Sequence, residues 1–121
     1  MTKVLIVEDN EMNMRLFSDL LKSRSYDVFE CNEGKSALAT AKKVKPDLIL
    51  MDIQMPEVDG LTATKQIRKN ADIAHTKIIA VTAFAMEGDK ERILAGGCDG
   101  YLSKPISIST FFQTIDEILA Q

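Results

Sequence analysis

One stretch, VLIVEDNEMN at residues 4–13, sets four consecutive apolar residues directly before Glu8, Asp9 and Asn10. A short unbroken apolar run of this kind indicates a strand that is covered on both faces, as in a parallel sheet. Carboxylates are rarely placed beside a core unless they are paired or bind a ligand. The stretch therefore raises the question of which residues come directly after the other apolar runs of the chain.

Apolar runs alternate with helix-like segments along the whole sequence. We predict strands at residues 4–7, 26–31, 47–51, 77–81 and 100–104, and helices at residues 10–23, 34–44, 60–70, 85–95 and 107–120. Strands that alternate with helices predict an α/β fold, with one parallel sheet covered by helices on both faces.

The helices are recognised by inward-facing residues at helical spacing. These are Met14, Phe17 and Leu21 in the first, Leu38 and Ala41 in the second, Leu61, Thr64 and Ile67 in the third, and Ile108, Phe111, Phe112, Ile115 and Leu119 in the fifth. The fourth has the weakest pattern, since it carries Gly88 and few apolar residues, and we expect it to be a mobile element that ends at Gly96 and Gly97.

Length and composition limit the classes of protein to consider. The 121 residues suit one domain, and 15 basic against 18 acidic side chains give a net charge of −3, which is unlike a nucleic-acid-binding surface. No stretch approaches the ~20 apolar residues of a membrane span, and no secretory leader precedes the first strand. We expect a cytoplasmic protein with a single domain at residues 1–121, no output domain, and no disulfide between Cys31 and Cys98.

Polar side chains follow the apolar strands at the point where each strand ends. Glu8 and Asp9 follow the first strand, Asp52 the third, Thr82 the fourth and Lys104 the fifth. The carboxyl ends of parallel strands meet at one edge of the sheet, where α/β proteins bind ligands. Each residue alone has a structural explanation, as a helix cap, a turn residue or a surface lysine.

Taken together, the acidic residues require a compensating charge. Carboxylates ~4 Å apart repel by ~4 kcal/mol per pair at an effective dielectric of 20, so three of them would strain a small domain. Lys104 is one source of positive charge. A divalent cation is a better one, and carboxylate oxygens that leave room for water suit Mg²⁺. Glu8, Asp9 and Asp52 therefore predict a magnesium site.

The segments VEDN, LILMDIQMPEVDG, VTAFA and YLSKP, in this order and spacing, resemble the receiver domains of two-component response regulators. The resemblance spans the full chain. It implies a CheY-like, flavodoxin-like (βα)5 fold with strand order 2-1-3-4-5.

The resemblance also implies roles for site residues. Asp52 would accept a phosphoryl group, and Mg²⁺ would be held by Asp9, by Asp52, by Glu8 through water and by the backbone carbonyl of Gln54. Lys104 would pair with a phosphoryl oxygen, and a cis bond between Lys104 and Pro105 would aim it.

Switching and partners are implied by the same resemblance. Thr82 would bind the phosphoryl group, and Tyr101 would turn from outward to inward. The phosphoryl donor would be a sensor histidine kinase or a histidine phosphotransferase of a phosphorelay. Protein targets would bind the face formed by the fourth helix, the fifth strand and the fifth helix. The protein would be a signalling protein rather than an enzyme. Phe84 is hypothesised to shield the phosphoryl group from water.

Three other classes of protein share parts of this pattern. A dinucleotide-binding domain needs glycines after its first strand, where this chain has acidic residues. A phosphatase with an aspartyl nucleophile usually carries an acid at the position of Gln54. A receiver-like domain that works without phosphorylation usually lacks an active residue, and none is missing here. His75 is expected to lie in a solvated loop.

Overall fold

A computed structural model describes residues 1–55, 57–83 and 87–121. Five strands and five helices alternate along the chain, as the sequence predicts. The strands are β1 (Lys3–Val7), β2 (Asp27–Cys31), β3 (Leu48–Asp52), β4 (Lys77–Thr82) and β5 (Gly100–Ser103). The helices are α1 (Glu11–Ser23), α2 (Ala37–Val44), α3 (Gly60–Arg68), α4 (Glu87–Ala95) and α5 (Ile108–Leu119), and a 3-10 turn at Gly34–Ser36 precedes α2.

The five strands form one parallel sheet in the order β2-β1-β3-β4-β5. In the register, Val7 lies opposite Met51, Asp52 opposite Val81, and Thr82 opposite Ser103. The central strands are covered on both faces, and all five residues of β3 are buried. The predicted fold class and strand order are confirmed.

The helices cover both faces of the sheet. Successive side chains of a strand point to opposite faces, so Leu5 of β1 packs in the cluster beneath α2, α3 and α4, whereas Ile6 packs in the cluster beneath α1 and α5. On the second face the rings of Phe17 and Phe111 stack with their centroids 5.8 Å apart. This contact joins α1 to α5 on the same face of the sheet.

The inward face of α5 differs from the prediction at its first turn. Phe111, Ile115 and Ile118 are buried, whereas Ile108 is 57% exposed. Ile108 is the first residue of α5, and α5 begins shortly after the carboxyl end of β5. The sheet ends at this point and does not cover the Ile108 side chain. The prediction for Ile108 was therefore wrong. The predicted core residues of α1 are buried, and Leu38 and Leu61 are partly buried.

The helix ends are set by local chemistry. The side chain of Asn10 accepts a hydrogen bond from the Asn13 N–H at 2.9 Å and caps α1, and Asp59 caps α3 in the same way. After α4, Gly97 has a positive φ of 109°, a conformation that glycine adopts at low cost. In the described part of the chain no helix is both long and apolar enough to cross a bilayer.

Candidate functional site

The carboxyl edge of the sheet brings the predicted site residues together. Glu8 and Asp9 directly follow β1, and Asp52 is the last residue of the neighbouring strand β3. Thr82 is the last residue of β4, and Lys104 directly follows β5. The parallel register places these strand ends side by side, because the last residues of neighbouring strands lie opposite or nearly opposite one another.

Three carboxylates converge at this edge. Glu8, Asp9 and Asp52 each offer an oxygen, and these oxygens all lie within 4.8 Å of one another. Glu8 is 1% exposed and Asp52 is 2% exposed, whereas Asp9 faces solvent. The cluster thus has a buried side formed by two acids and an open side where a ligand can enter.

Asp9 has no capping role, because Asn10 occupies the N-cap position of α1. Thr82 is buried at the end of β4. Asp52 does take part in a turn, as its Oδ1 accepts a hydrogen bond from the Gln54 N–H at 2.9 Å. Its Oδ2 is directed toward a different neighbour, Lys104.

Lys104 supplies positive charge to the cluster. Its Nζ lies 3.3 Å from Glu8 Oε1 and 3.6 Å from Asp52 Oδ2. The contact with Glu8 is an ion pair without hydrogen-bond geometry, so Oε1 remains a buried oxygen with no hydrogen-bond donor. The backbone N–H of Lys104 donates to the Thr82 carbonyl at 2.8 Å, and the bond between Lys104 and Pro105 is cis.

The environment of Glu8 favours its protonated form. Burial raises the pKa of Glu8 from 4.5 to about 7. Asp52 adds to this shift, because its carboxylate accepts a hydrogen bond from the protonated form of Glu8 and repels the ionised form, whereas the Asn10 N–H and Lys104 act in the opposite direction. The Asn10 N–H donates to Glu8 Oε2 at 3.1 Å. Near neutral pH both the protonated and the ionised form of this carboxyl group are therefore populated.

The loop after β3 packs closely against the site. A Cβ at Gly60 would collide with the carbonyl oxygen of Asp52, and a Cβ at Gly34 would collide with that of Val58. The sequence interpretation did not identify these two glycines. The only available signals were an Asp-Gly pair before α3 and a lone glycine before α2, which are also typical of ordinary turns.

Other predicted residues lie away from the carboxylates or outside the described part of the chain. Tyr101 is half-buried in β5, with Lys90 Nζ 5.6 Å from its ring centroid. Phe84 falls outside the described residues, so its shielding role stays a prediction. His75 is exposed in its loop, as expected.

The two cysteines are free and buried, as expected. Burial raises the pKa of the Cys98 thiol to about 11, and the thiol therefore stays protonated. Cys31 lines a groove of about 800 Å³ that begins at Glu8 and Asp9 and runs between α1 and β2. The acidic cluster is therefore reachable from outside along this groove.

The model of the response regulator receiver domain matches residues 4–116 of the sequence. The chain belongs to the response regulator receiver family. It is thus a signalling domain whose strand order and acidic edge agree with the family assignment.

Relatives of this receiver domain include the polar-differentiation response regulator DivK of Brucella ovis. It is 53% identical over 120 residues, which cover 98% of each chain. DivK of Brucella anthropi is also 53% identical, over 96% of this chain and 94% of that protein.

Solved structures of other receiver domains superpose closely. The receiver domain of a sensor histidine kinase from Pseudomonas aeruginosa, which has a magnesium ion in its active-site cleft, gives a TM-score of 0.91 at 33% identity, over 99% of this chain and 98% of that one. The chemotaxis protein CheY4 of Vibrio cholerae gives 0.92 at 30% identity, over 98% of both chains.

Proposed function

We propose that this receiver domain is a single-domain, cytoplasmic response regulator that takes a phosphoryl group onto Asp52 in a Mg²⁺-dependent reaction. The donor is a phosphohistidine of a sensor histidine kinase or a histidine phosphotransferase. Phosphorylation changes a surface that binds downstream proteins. The alignment with DivK over 98% of its length supports the single-domain assignment.

The observation that carries the proposal is the arrangement around Asp52. Its Oδ2 lies 3.6 Å from the Lys104 ammonium, in a cluster that also contains Glu8 and Asp9. A carboxylate beside both a cation and other acids is suited to phosphoryl transfer, in which positioning and charge neutralisation do most of the work.

The residues present fit a magnesium ion. Three carboxylate oxygens converge within 4.8 Å, and Glu8 Oε1 is buried without a hydrogen-bond donor. Such oxygen ligands match the preference of Mg²⁺. Asp9 and Asp52 would hold the ion directly, Glu8 through water, and the backbone carbonyl of Gln54 would complete the protein ligands. When bound, Mg²⁺ would neutralise charge on the transferring phosphoryl group.

The proposed chemistry is a single displacement. A carboxylate oxygen of Asp52 attacks the phosphorus atom, the bond from phosphorus to the donor imidazole nitrogen breaks, and the imidazole leaves with the electron pair. Lys104 stabilises the negative charge of the phosphoryl oxygens, and the Thr82 hydroxyl donates a hydrogen bond to one of them. Hydrolysis of the aspartyl phosphate later restores Asp52.

The proposed output surface is formed by α4, β5 and α5. A groove of about 540 Å³ runs between these elements, with Leu94, Tyr101 and Ile106 among its lining residues. Leu94 is 40% exposed although it is apolar. An accessible apolar groove beside Tyr101 supports a protein-binding role for this face, in which Thr82 and Tyr101 change position after phosphorylation.

The test is the intact mass of the protein after incubation with acetyl phosphate and Mg²⁺. We expect one phosphoryl adduct on the wild type, no adduct with EDTA, and none on Asp52→Asn. Asp47→Asn is the matched control, because Asp47 lies at the opposite end of β3, where its carboxylate accepts from the Lys3 N–H at 2.8 Å. This variant should still be phosphorylated.

Two results would count against the proposal. A wild type that gains no phosphoryl group from acetyl phosphate or from a phosphorylated histidine phosphotransferase would indicate a domain that binds partners without phosphorylation. Continued release of phosphate from an added phosphomonoester, at many turnovers per protein, would indicate a phosphatase.

A further inference from the structure

Gln54 connects the proposed acceptor to the loop that follows β4. Its backbone N–H donates to Asp52 Oδ1 at 2.9 Å, and its side-chain Oε1 accepts from the backbone N–H of Ala83 at 3.1 Å. Ala83 directly follows Thr82, the last residue of β4. One residue therefore contacts both the acceptor and the chain segment that carries Thr82.

The Ala83 N–H is a potential ligand for an added phosphoryl group. Backbone N–H groups commonly donate to phosphate oxygens, and hydrogen bonds to an ionised oxygen are stronger than those to a neutral amide oxygen. Thr82, the adjacent residue, is the proposed hydroxyl ligand of the phosphoryl group. In the unphosphorylated structure Gln54 already accepts the hydrogen bond from the Ala83 N–H.

We propose that the Gln54 side chain is a positioning residue that holds Ala83, the residue directly after β4, in its unphosphorylated position by accepting the Ala83 N–H. A phosphoryl group on Asp52 then takes this N–H over from Gln54. The inference deepens the proposed function and rests on it. It assigns to the Gln54 side chain a role separate from that of its backbone carbonyl at the metal.

The transfer of the Ala83 N–H from Gln54 to the phosphoryl group predicts how a substitution of Gln54 changes the affinity for a phosphoryl analogue. If the bond between Gln54 and Ala83 must break before the phosphorylated state forms, removing its acceptor favours that state. A hydrogen bond of this kind contributes a modest net stabilisation, and less when exposed to water, as here. Its removal should therefore tighten binding of a phosphoryl analogue by roughly 2- to 5-fold. A Gln54 amide that instead donated to the phosphoryl group would give the opposite sign.

The experiment uses Gln54→Met, which keeps the length of the side chain and removes its oxygen. The first measurement is hydrogen exchange of the Ala83 amide by NMR in the metal-free protein. The second is the affinity for beryllofluoride with Mg²⁺, since this complex imitates a phosphoryl group on a carboxylate. We expect faster Ala83 exchange and tighter beryllofluoride binding in Gln54→Met than in the wild type.

Two further variants separate the hydrogen bond from general effects. Gln54→Glu retains an acceptor oxygen at the same reach, so it should keep the Ala83 amide protected. Gln66→Met makes the same chemical change at an exposed position of α3 and should change neither measurement.

The outcomes distinguish the inference from the proposed function. If wild type fails to bind beryllofluoride, the proposed function and this inference both fall. If wild type binds it, while Gln54→Met shows unchanged Ala83 exchange or equal or weaker binding, the inference alone is wrong.

Discussion

Lys104 and Glu8 form an ion pair in which the lysine Nζ lies 3.3 Å from an Oε1 atom of a side chain that is 1% exposed. The same ammonium lies 3.6 Å from Asp52 Oδ2. Lys104 therefore neutralises part of the charge that a metal ion in the acidic cluster would neutralise. Under the proposed function, Lys104 would compete with Mg²⁺ in the resting protein and would pair with an incoming phosphoryl group.

Removing this charge should strengthen metal binding. Lys104→Met is expected to bind Mg²⁺ more tightly by about 1 kcal/mol, roughly fivefold, because a competing cation near two of the carboxylates is lost. The same variant should be phosphorylated poorly by acetyl phosphate. Calorimetric titration with Mg²⁺ measures the first effect, and intact mass the second. Lys42→Met, at an exposed position of α2, is the control, and weaker Mg²⁺ binding by Lys104→Met would contradict the prediction.

Metal binding should depend on pH near neutrality. The pKa of Glu8 is raised to about 7 by burial and by Asp52, so below that pH a proton occupies the carboxyl group that Mg²⁺ requires in charged form. The Mg²⁺ affinity should therefore fall as the pH decreases from 8 to 6, by at most ~10-fold per pH unit. Titrations at several pH values test this, and Glu8→Gln should flatten the dependence.

In the metal-free protein, the contribution of Glu8 to the free energy of unfolding should decrease as the pH rises, whereas the Mg²⁺ affinity should increase. Glu8 has a higher pKa in the folded protein, about 7, than the ordinary value of 4.5, so the folded state binds more protons between these values. Its contribution to the free energy of unfolding, on the order of 3 kcal/mol, is fully present below pH 4.5 and is lost as the pH rises through about 7. Urea unfolding with EDTA, compared between wild type and Glu8→Gln, measures this contribution. A contribution from Glu8 that grows with pH would contradict the prediction.

Gly60, the first residue of α3, should accept a side chain only if the neighbouring backbone shifts. A Cβ at Gly60 would collide with the Asp52 carbonyl oxygen and lie 2.8 Å from its carbonyl carbon. Gly60→Ala should therefore lower the free energy of unfolding by about 2–3 kcal/mol, because the backbone that carries Asp52 must shift. Gly88→Ala is the matched control. A Cβ at Gly88 meets nothing within 4 Å, so alanine there should be neutral or stabilise α4 by up to ~1 kcal/mol. Equal effects in the two variants would refute the steric explanation.

Arg68 should be the most important surface cation for stability. Its guanidinium donates to the carbonyl oxygens of Gly97, Ala74 and Thr76 and pairs with Asp99 at 2.8 Å. These contacts join the end of α3 to the segments that precede β4 and β5.

Arg68→Ala should lower the free energy of unfolding by about 2–4 kcal/mol, since several partly buried acceptors lose their donor. In Arg15→Ala the change should stay within ~0.5 kcal/mol, because the pair of Arg15 with Asp19 is exposed. Chemical denaturation of both variants gives the comparison, and a small effect for Arg68 would show that water replaces its contacts.

The alternation of strands and helices was predictable because burial on one or both faces imposes a periodicity on the sequence. The buried runs at β1, β3 and β4 and the stripe at Met14, Phe17 and Leu21 were identified in this way. The convergence of Glu8, Asp9 and Asp52 was also predictable, since the ends of parallel strands meet at one edge. The strand order came from the family resemblance, because periodicity does not state which strands are neighbours.

The sequence by itself thus determined the set of elements and the chemical types at the carboxyl edge. Tertiary structure alone decided that Lys104 pairs with Glu8 as well as with Asp52, that Ile108 lies exposed, and that Gln54 reaches Ala83. The physical reason is that periodicity is a local property of the chain. Distances and burial at the site depend on how segments distant in sequence pack against one another, and the raised pKa of Glu8 arises only from that packing.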